Sequence, residues 1–119
     1  MNTTQRVLEL VKPKYDSLKC WLHRWPHVQD VAEKAETLAE LEGVKIEPCV
    51  ISAYCHDLGR VEEERRKERG EKSLPHALFS IEPTVNILQE MRIRGVEFAK
   101  IIEAVTVHSY KIYDGKNDV

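Results

Sequence analysis

Apolar residues return every three or four positions in nearly every segment of this chain, and alternating patterns are scarce. That spacing is the period of a helix burying one face, so the fold class it predicts is all-α. Val7, Leu8, Leu10 and Val11 define a first helix, with Thr3 or Thr4 as its cap and Pro13 as its break or kink. Tyr15, Leu18 and Trp21–Leu22 continue as a second, short amphipathic piece. The clearest helix follows. Pro26 suits its first turn, Val28, Val31, Ala32, Ala35, Leu38 and Ala39 form one stripe, Glu33, Glu36 and Glu40 lie off it, and Gly43 is its stop.

The stretch from Pro48 to Leu58, PCVISAYCHDL, is apolar on nearly all sides until its end, which predicts a helix at the centre of the fold, ended by Gly59. Residues 61–72, VEEERRKERGEK, are a charge run, read as a solvated loop or an exposed helical turn. Ser73 and Pro75 then open a helix carrying His76, Phe79, Ile81, Val85 and Leu88, with Pro83 kinking or splitting it. Gly95 marks a turn. A last helix, about Glu97 to Ser109, sets Ile101, Ala104, Val105 and His108 on one side, before a turn-like tail, DGKND. No internal repeat or low-complexity linker divides the chain. The architecture expected is therefore one domain over residues 1–119, a compact bundle of five to six helices with short connections.

Composition narrows the class of function. The 18 Lys and Arg against 20 Asp and Glu leave a formal charge of −2, so there is no basic face for a nucleic-acid duplex or an anionic membrane. No apolar run approaches the roughly 20 residues of a membrane span, and MNTTQRVLEL lacks the basic and apolar regions of a secretory signal. Cys20, Cys49 and Cys55 are odd in number and form no CxxC pair, which fits reduced thiols and a cytoplasmic protein.

The chemistry concentrates at His56 and Asp57. His56 lies one turn after Ala53, and Asp57 one turn after Ala53 and Tyr54, so both flank the inner stripe of the most apolar helix. A carboxylate there requires compensation, and the C-terminal end of a helix does not supply it. A cation is needed: Arg60 or a metal ion. His27 falls on the core side of the long helix, one turn before Val31, and His108 follows Ala104 and Val105 by one turn on the core side of the last. His76 opens its own helix. One core-facing histidine is ordinarily a packed structural residue, but several converging on one Asp form an imidazole–carboxylate set suited to Mn, Fe, Ni, Co or Zn.

His27 in PHVQDVAEKAETLAE and His56–Asp57 in AYCHDLGR resemble the first three ligands of the HD domain superfamily of metal-dependent phosphohydrolases. His76 in LPHALFS and His108 in AVTVHS resemble the further histidines of its two-metal members, and the resemblance runs from about residue 20 to 112. It implies hydrolysis of a phosphomonoester or phosphodiester, nucleotides among them, with one or two divalent ions (Mg included) held by His27, His56, Asp57, His76 and His108. Asp57 would bridge the two ions, and Arg60 and Lys72 would contact the phosphate, with Arg60 reading equally well as the partner of Asp57 or of a surface Glu. The family's last ligand is an Asp well beyond the position of His108. Here eleven residues follow it, with Asp114 and Asp118 as the available carboxylates, so the C-terminus is expected to be short for the family.

The expected partner is a small phosphate ester, with no duplex and no membrane, and a homo-oligomer is compatible. Two other readings stay open at this point: a non-catalytic metal- or nucleotide-binding sensor module, and a structural bundle whose histidines only pack. Of the remaining candidates, Trp21 and Trp25 read as anchors for the first helices, His23 as a surface residue and Cys55 as an inert buried thiol. Glu62, Glu63 and Glu64 carry acid–base potential, with no one of them singled out.

Overall fold

The computed structural model describes the backbone of residues 2–72 and 76–114 and the side chains of residues 2–72 and 78–107. Within those residues the protein is all-α. Six α-helices follow one another as α1 (Thr3–Asp16), α2 (Trp25–Glu42), α3 (Ile46–Cys55), α4 (Arg60–Glu68), α5 (His76–Glu90) and α6 (Gly95–Asp114), with a 3-10 turn at Trp21–His23 before α2. No described helix is long and apolar enough to cross a membrane.

The central helix is α3, which packs against α1, α2, α5 and α6. Its Ile51 and Cys55 are fully buried, and Val50, Ala53 and Tyr54 nearly so. It runs from Ile46 to Cys55, shorter at its C-terminal end than the pattern predicts, and His56–Gly59 form a turn that leads into α4. The dyad is thus carried by a turn rather than by a helix.

Several local expectations change in the folded chain. Asn2, not Thr3 or Thr4, caps α1: its side-chain oxygen accepts from Gln5 N at 2.8 Å. Asn caps at least as well as Thr, and starting one residue earlier keeps both threonines in the first turn. Pro13 does not end α1, which continues to Asp16. An interior proline costs about 3 kcal/mol in helix propensity, but here the last turn is held from outside. Tyr15 is fully buried and its hydroxyl donates to Tyr54 O at 2.6 Å. Pro83 likewise lies inside α5, whose Ser80 and Thr84 on either side of it are buried.

Of the two tryptophans, Trp25 is buried, with its ring centroid 5.5 Å from that of Tyr54 and 6.3 Å from that of Tyr15. Trp21, read as an anchor, is 74% exposed. Leu38, assigned to the buried stripe of α2, is 61% exposed, whereas Val28, Ala32 and Ala39 are buried; the inner face is narrower than the stripe. Gly43 ends α2 as expected. Its φ of 69° is left-handed, and Val44 N reaches back to Ala39 O at 3.1 Å, a closing geometry that a side chain disfavours.

The charge run forms the helix α4. Glu62 and Glu63 occupy its first turn and Arg65, Arg66 and Lys67 its last, the order that opposes the helix dipole. Arg66 pairs with Glu62 at 3.0 Å one turn away, and Arg60 with Glu63 at 3.0 Å. The helix is also tied to the α1–α2 connection. Glu64 accepts from the backbone N–H groups of Lys19 and Cys20, each at 2.9 Å, and Lys19 pairs with Glu68. This staple fixes the segment that delivers α2, and with it His27.

Candidate metal centre

Three elements meet at the dyad. His27 sits in the first turn of α2, the turn after α3 carries His56 and Asp57, and Arg60 opens α4. The Asp57 carboxylate is buried, its side chain 4% exposed, and both imidazoles face one of its oxygens. His27 Nε2 lies 3.5 Å and His56 Nε2 3.3 Å from Asp57 Oδ2. One ligand atom from each of the three residues lies within 4.8 Å of the others. The two rings are 5.9 Å apart between centroids. His56 is largely buried, while the His27 side chain is 40% exposed, so the group is open to solvent on the His27 side.

The protonation pattern of His56 favours a cation. Its Nδ1 is 2.5 Å from Ala53 O. A carbonyl can only accept, so Nδ1 carries the proton and donates. In the neutral ring, Nε2 then presents its lone pair toward Asp57 and His27. A ring nitrogen held by a backbone carbonyl with the other nitrogen aimed at a carboxylate is the usual outer support of a metal-ligating histidine. Burial pushes the His56 pKa down, but the hydrogen bond and charge of Asp57, with help from Ala53 O, outweigh it and hold the group above the ordinary histidine value. With no cation between them, a proton on Nε2 relieves the contact with Asp57. A metal ion held by His27, His56 and Asp57 would take that proton's place.

Arg60 adds positive charge on the other oxygen. Its Nε stands 3.7 Å from Asp57 Oδ1, too far for a hydrogen bond, while Nη1 is engaged by Glu63 at 3.0 Å. Arg60 Nε is buried and has no hydrogen-bond partner among the described residues. The guanidinium therefore forms an ion pair with Asp57 without a hydrogen bond to it, and is shared with Glu63.

A family model for the HD domain matches residues 24–114, well over half of the chain. The chain belongs to the HD domain family. No curated protein and no solved structure matches it. The matched span includes His27, His56 and Asp57, and also His76 and His108. In this HD domain His76 is the first residue of α5 and His108 falls in α6, but the side chains of both lie outside the described residues. The side chain of Asp114 and the whole of Asp118 lie outside them too. Lys72 is exposed in the connection after α4, and no contact joins it to the three clustered residues among those described.

The fold also draws in a residue that the sequence reading set aside. His23, read as a surface residue, is half-buried. Its ring packs edge-on against that of His27 at 6.0 Å, and its Nδ1 lies 3.1 Å from Cys20 Sγ. The four-residue step from His23 to His27 is the one signal that hinted at this, obscured because the two sit on different helical elements. Glu64, one of the three unassigned acids, is committed to the Lys19–Cys20 backbone.

Cys55, adjacent to His56, faces the core with no exposure, and burial pushes its thiol up to about 12. A thiol so protected is a poor nucleophile. In a titration of the native protein with an aromatic disulfide reagent, Cys20 and Cys49 are expected to react and Cys55 to react only after denaturant is added. Prompt modification of all three would contradict the buried placement.

Proposed function

We propose that this HD domain is a divalent-metal-dependent phosphohydrolase that cleaves a small phosphomonoester or phosphodiester, nucleotides included. The observation that supports it most is the orientation of His56. Ala53 O holds its Nδ1 proton and directs Nε2 into the space shared with His27 Nε2 and Asp57 Oδ2. Two imidazoles and one carboxylate form a donor set that suits Mn, Fe, Co, Ni or Zn, with Mg the weakest match to the nitrogens.

A divalent ion bound there lowers the pKa of water toward neutrality and polarises a phosphoryl oxygen. The chain's own residues set the frame for that chemistry. Asp57 supplies the anionic ligand, and burial keeps its charge from being spread into solvent. Arg60, whose partly exposed guanidinium lies beside Asp57, would donate to a phosphate oxygen. Solvent reaches the centre past the exposed side of His27, and a phosphate ester enters by the same face. The family resemblance adds His76 and His108 as holders of a second ion and Lys72 as a further phosphate contact. The same reading places the protein in the cytoplasm with reduced thiols, acting on a free small molecule rather than on a duplex.

Elemental analysis of the purified chain, followed by a screen of nucleoside monophosphates, cyclic nucleotides and aryl phosphates with added Mn, Co, Ni or Mg, tests the proposal. Turnover that disappears with a chelator and returns with metal is expected. A metal-replete protein that turns over none of these esters would replace the hydrolase with a metal-binding sensor. A protein that takes up no metal would leave a bundle whose histidines only pack.

A further inference from the structure

The turn that carries the dyad is bonded in an alternating pattern. The backbone N–H groups of His56, Leu58 and Arg60 donate to carbonyls three residues earlier, those of Ala53, Cys55 and Asp57. Those of Asp57 and Gly59 donate instead to hydroxyls from other helices. Asp57 N donates to Tyr15 Oη of α1 at 3.2 Å, and Gly59 N to Ser80 Oγ of α5 at 2.7 Å. Each hydroxyl then passes its own proton back to the same region. Tyr15 Oη donates to Tyr54 O at 2.6 Å, and Ser80 Oγ to His56 O at 3.2 Å. Those carbonyls belong to the C-terminal end of α3, where a helix leaves its last acceptors without intrahelical partners. Both hydroxyl-bearing residues are 0% exposed, so removing either oxygen strands buried polar groups.

We propose that Tyr15 and Ser80 are positioning residues for the metal centre. Two buried hydroxyls from α1 and α5 clamp the His56–Gly59 turn and thereby set the direction of the Asp57 carboxylate and the His56 ring. Neither hydroxyl is a ligand; each acts through the backbone of a ligand or its neighbour. Had α3 continued as a regular helix through these residues, the N–H of Asp57 would have bonded to Ala53 rather than to Tyr15 Oη. The hydroxyls stabilise the departure from helix that turns Asp57 toward His27. Tyr15 also lies ahead of the span 24–114, so a segment outside the family match holds the centre in place. The effect on metal rests on the function proposed above; the clamp itself does not.

Tyr15→Phe and Ser80→Ala each delete one oxygen and keep most of the packed volume. In the full metal-free chain, amide exchange followed by NMR is expected to rise about tenfold or more at Asp57 in Tyr15→Phe and at Gly59 in Ser80→Ala, beyond any change at Ile51 and Leu88, which report global opening. Calorimetric titration with Mn is expected to show affinity falling roughly 10- to 100-fold in both variants, the range for lost outer support of a metal ligand. Val11→Ala, a buried change on the same helix as Tyr15, controls for stability and is expected to leave Mn affinity unchanged.

Exchange at Asp57 and Gly59 that rises no more than at Ile51 and Leu88 would overturn the clamp. Equal loss of Mn affinity in Val11→Ala and Tyr15→Phe would overturn the positioning role. If the parent chain binds no Mn, the hydrolase reading fails while the exchange data still decide the clamp. If Tyr15→Phe does not fold, Ser80→Ala carries the same measurements at Gly59.

Discussion

Asp57→Asn is expected to abolish stoichiometric metal uptake and to lower chelator-sensitive phosphoester hydrolysis by roughly 10³-fold or more, the equivalent of losing several kcal/mol of transition-state stabilisation. The substitution is nearly isosteric and keeps the backbone N–H that donates to Tyr15 Oη. It removes the one negative charge on which His27 Nε2 and His56 Nε2 converge. Two neutral imidazoles with an amide form a far weaker site than the same pair with a carboxylate. The metal-free variant is expected to keep its helical circular dichroism but to unfold at a lower temperature than the parent, because the substitution leaves the partly buried Arg60 and His56 without their carboxylate partner. Retained metal stoichiometry and undiminished turnover in Asp57→Asn would remove this carboxylate from the chemistry.

The second large effect is on stability. Ile51 lies in the middle of α3, with no exposure, in the helix that touches α1, α2, α5 and α6. Ile51→Ala removes three buried carbons at the point where the other helices meet, and the surroundings can only partly close over the space. A loss of about 3 kcal/mol is expected, within the 2–5 range for such deletions and a large share of the ~5–15 kcal/mol that holds a domain of this size. Urea denaturation monitored at 222 nm checks it through the midpoint at constant slope. The same change at Leu41, which is 76% exposed, is expected to move the midpoint by no more than about 0.5 kcal/mol. A similar small shift for Ile51→Ala would mean that α3 is not the centre of the core.

These two residues differ in how readily they could be identified from the chain alone. Ile51 stands in PCVISAYC, apolar on nearly every side, and a segment of that kind has no stable place except the interior. The candidate ligands were legible by type. Histidines and an Asp at helical ends, in the order of an HD domain, are a pattern of composition and spacing, and the family match covers that order. What spacing could not convey was orientation. The dyad was expected on a helix and sits in a turn, and Arg60, expected to serve a phosphate or to partner Asp57 or a surface Glu, pairs with both Asp57 at 3.7 Å and Glu63 at 3.0 Å. Periodicity describes which face a residue occupies; it contains nothing about atoms approaching from a helix forty residues away.

The division follows from the range of the forces involved. All-α character, the positions of α2 and α3, the Gly43 stop and the centrality of α3 come from local propensity and from the burial demanded by a run of apolar side chains, and both are written into neighbouring residues. The survival of α1 and α5 past Pro13 and Pro83, the exposure of Trp21 and Leu38, and the helical state of the charge run were set by contacts between distant segments. A buried Tyr15 hydroxyl holds the turn beyond Pro13, and α4 is fastened through Glu64 to the Lys19–Cys20 backbone. The three-dimensional arrangement likewise chose the lone pair that His56 presents, since the bond from its Nδ1 to Ala53 O exists only once α3 has ended where it does.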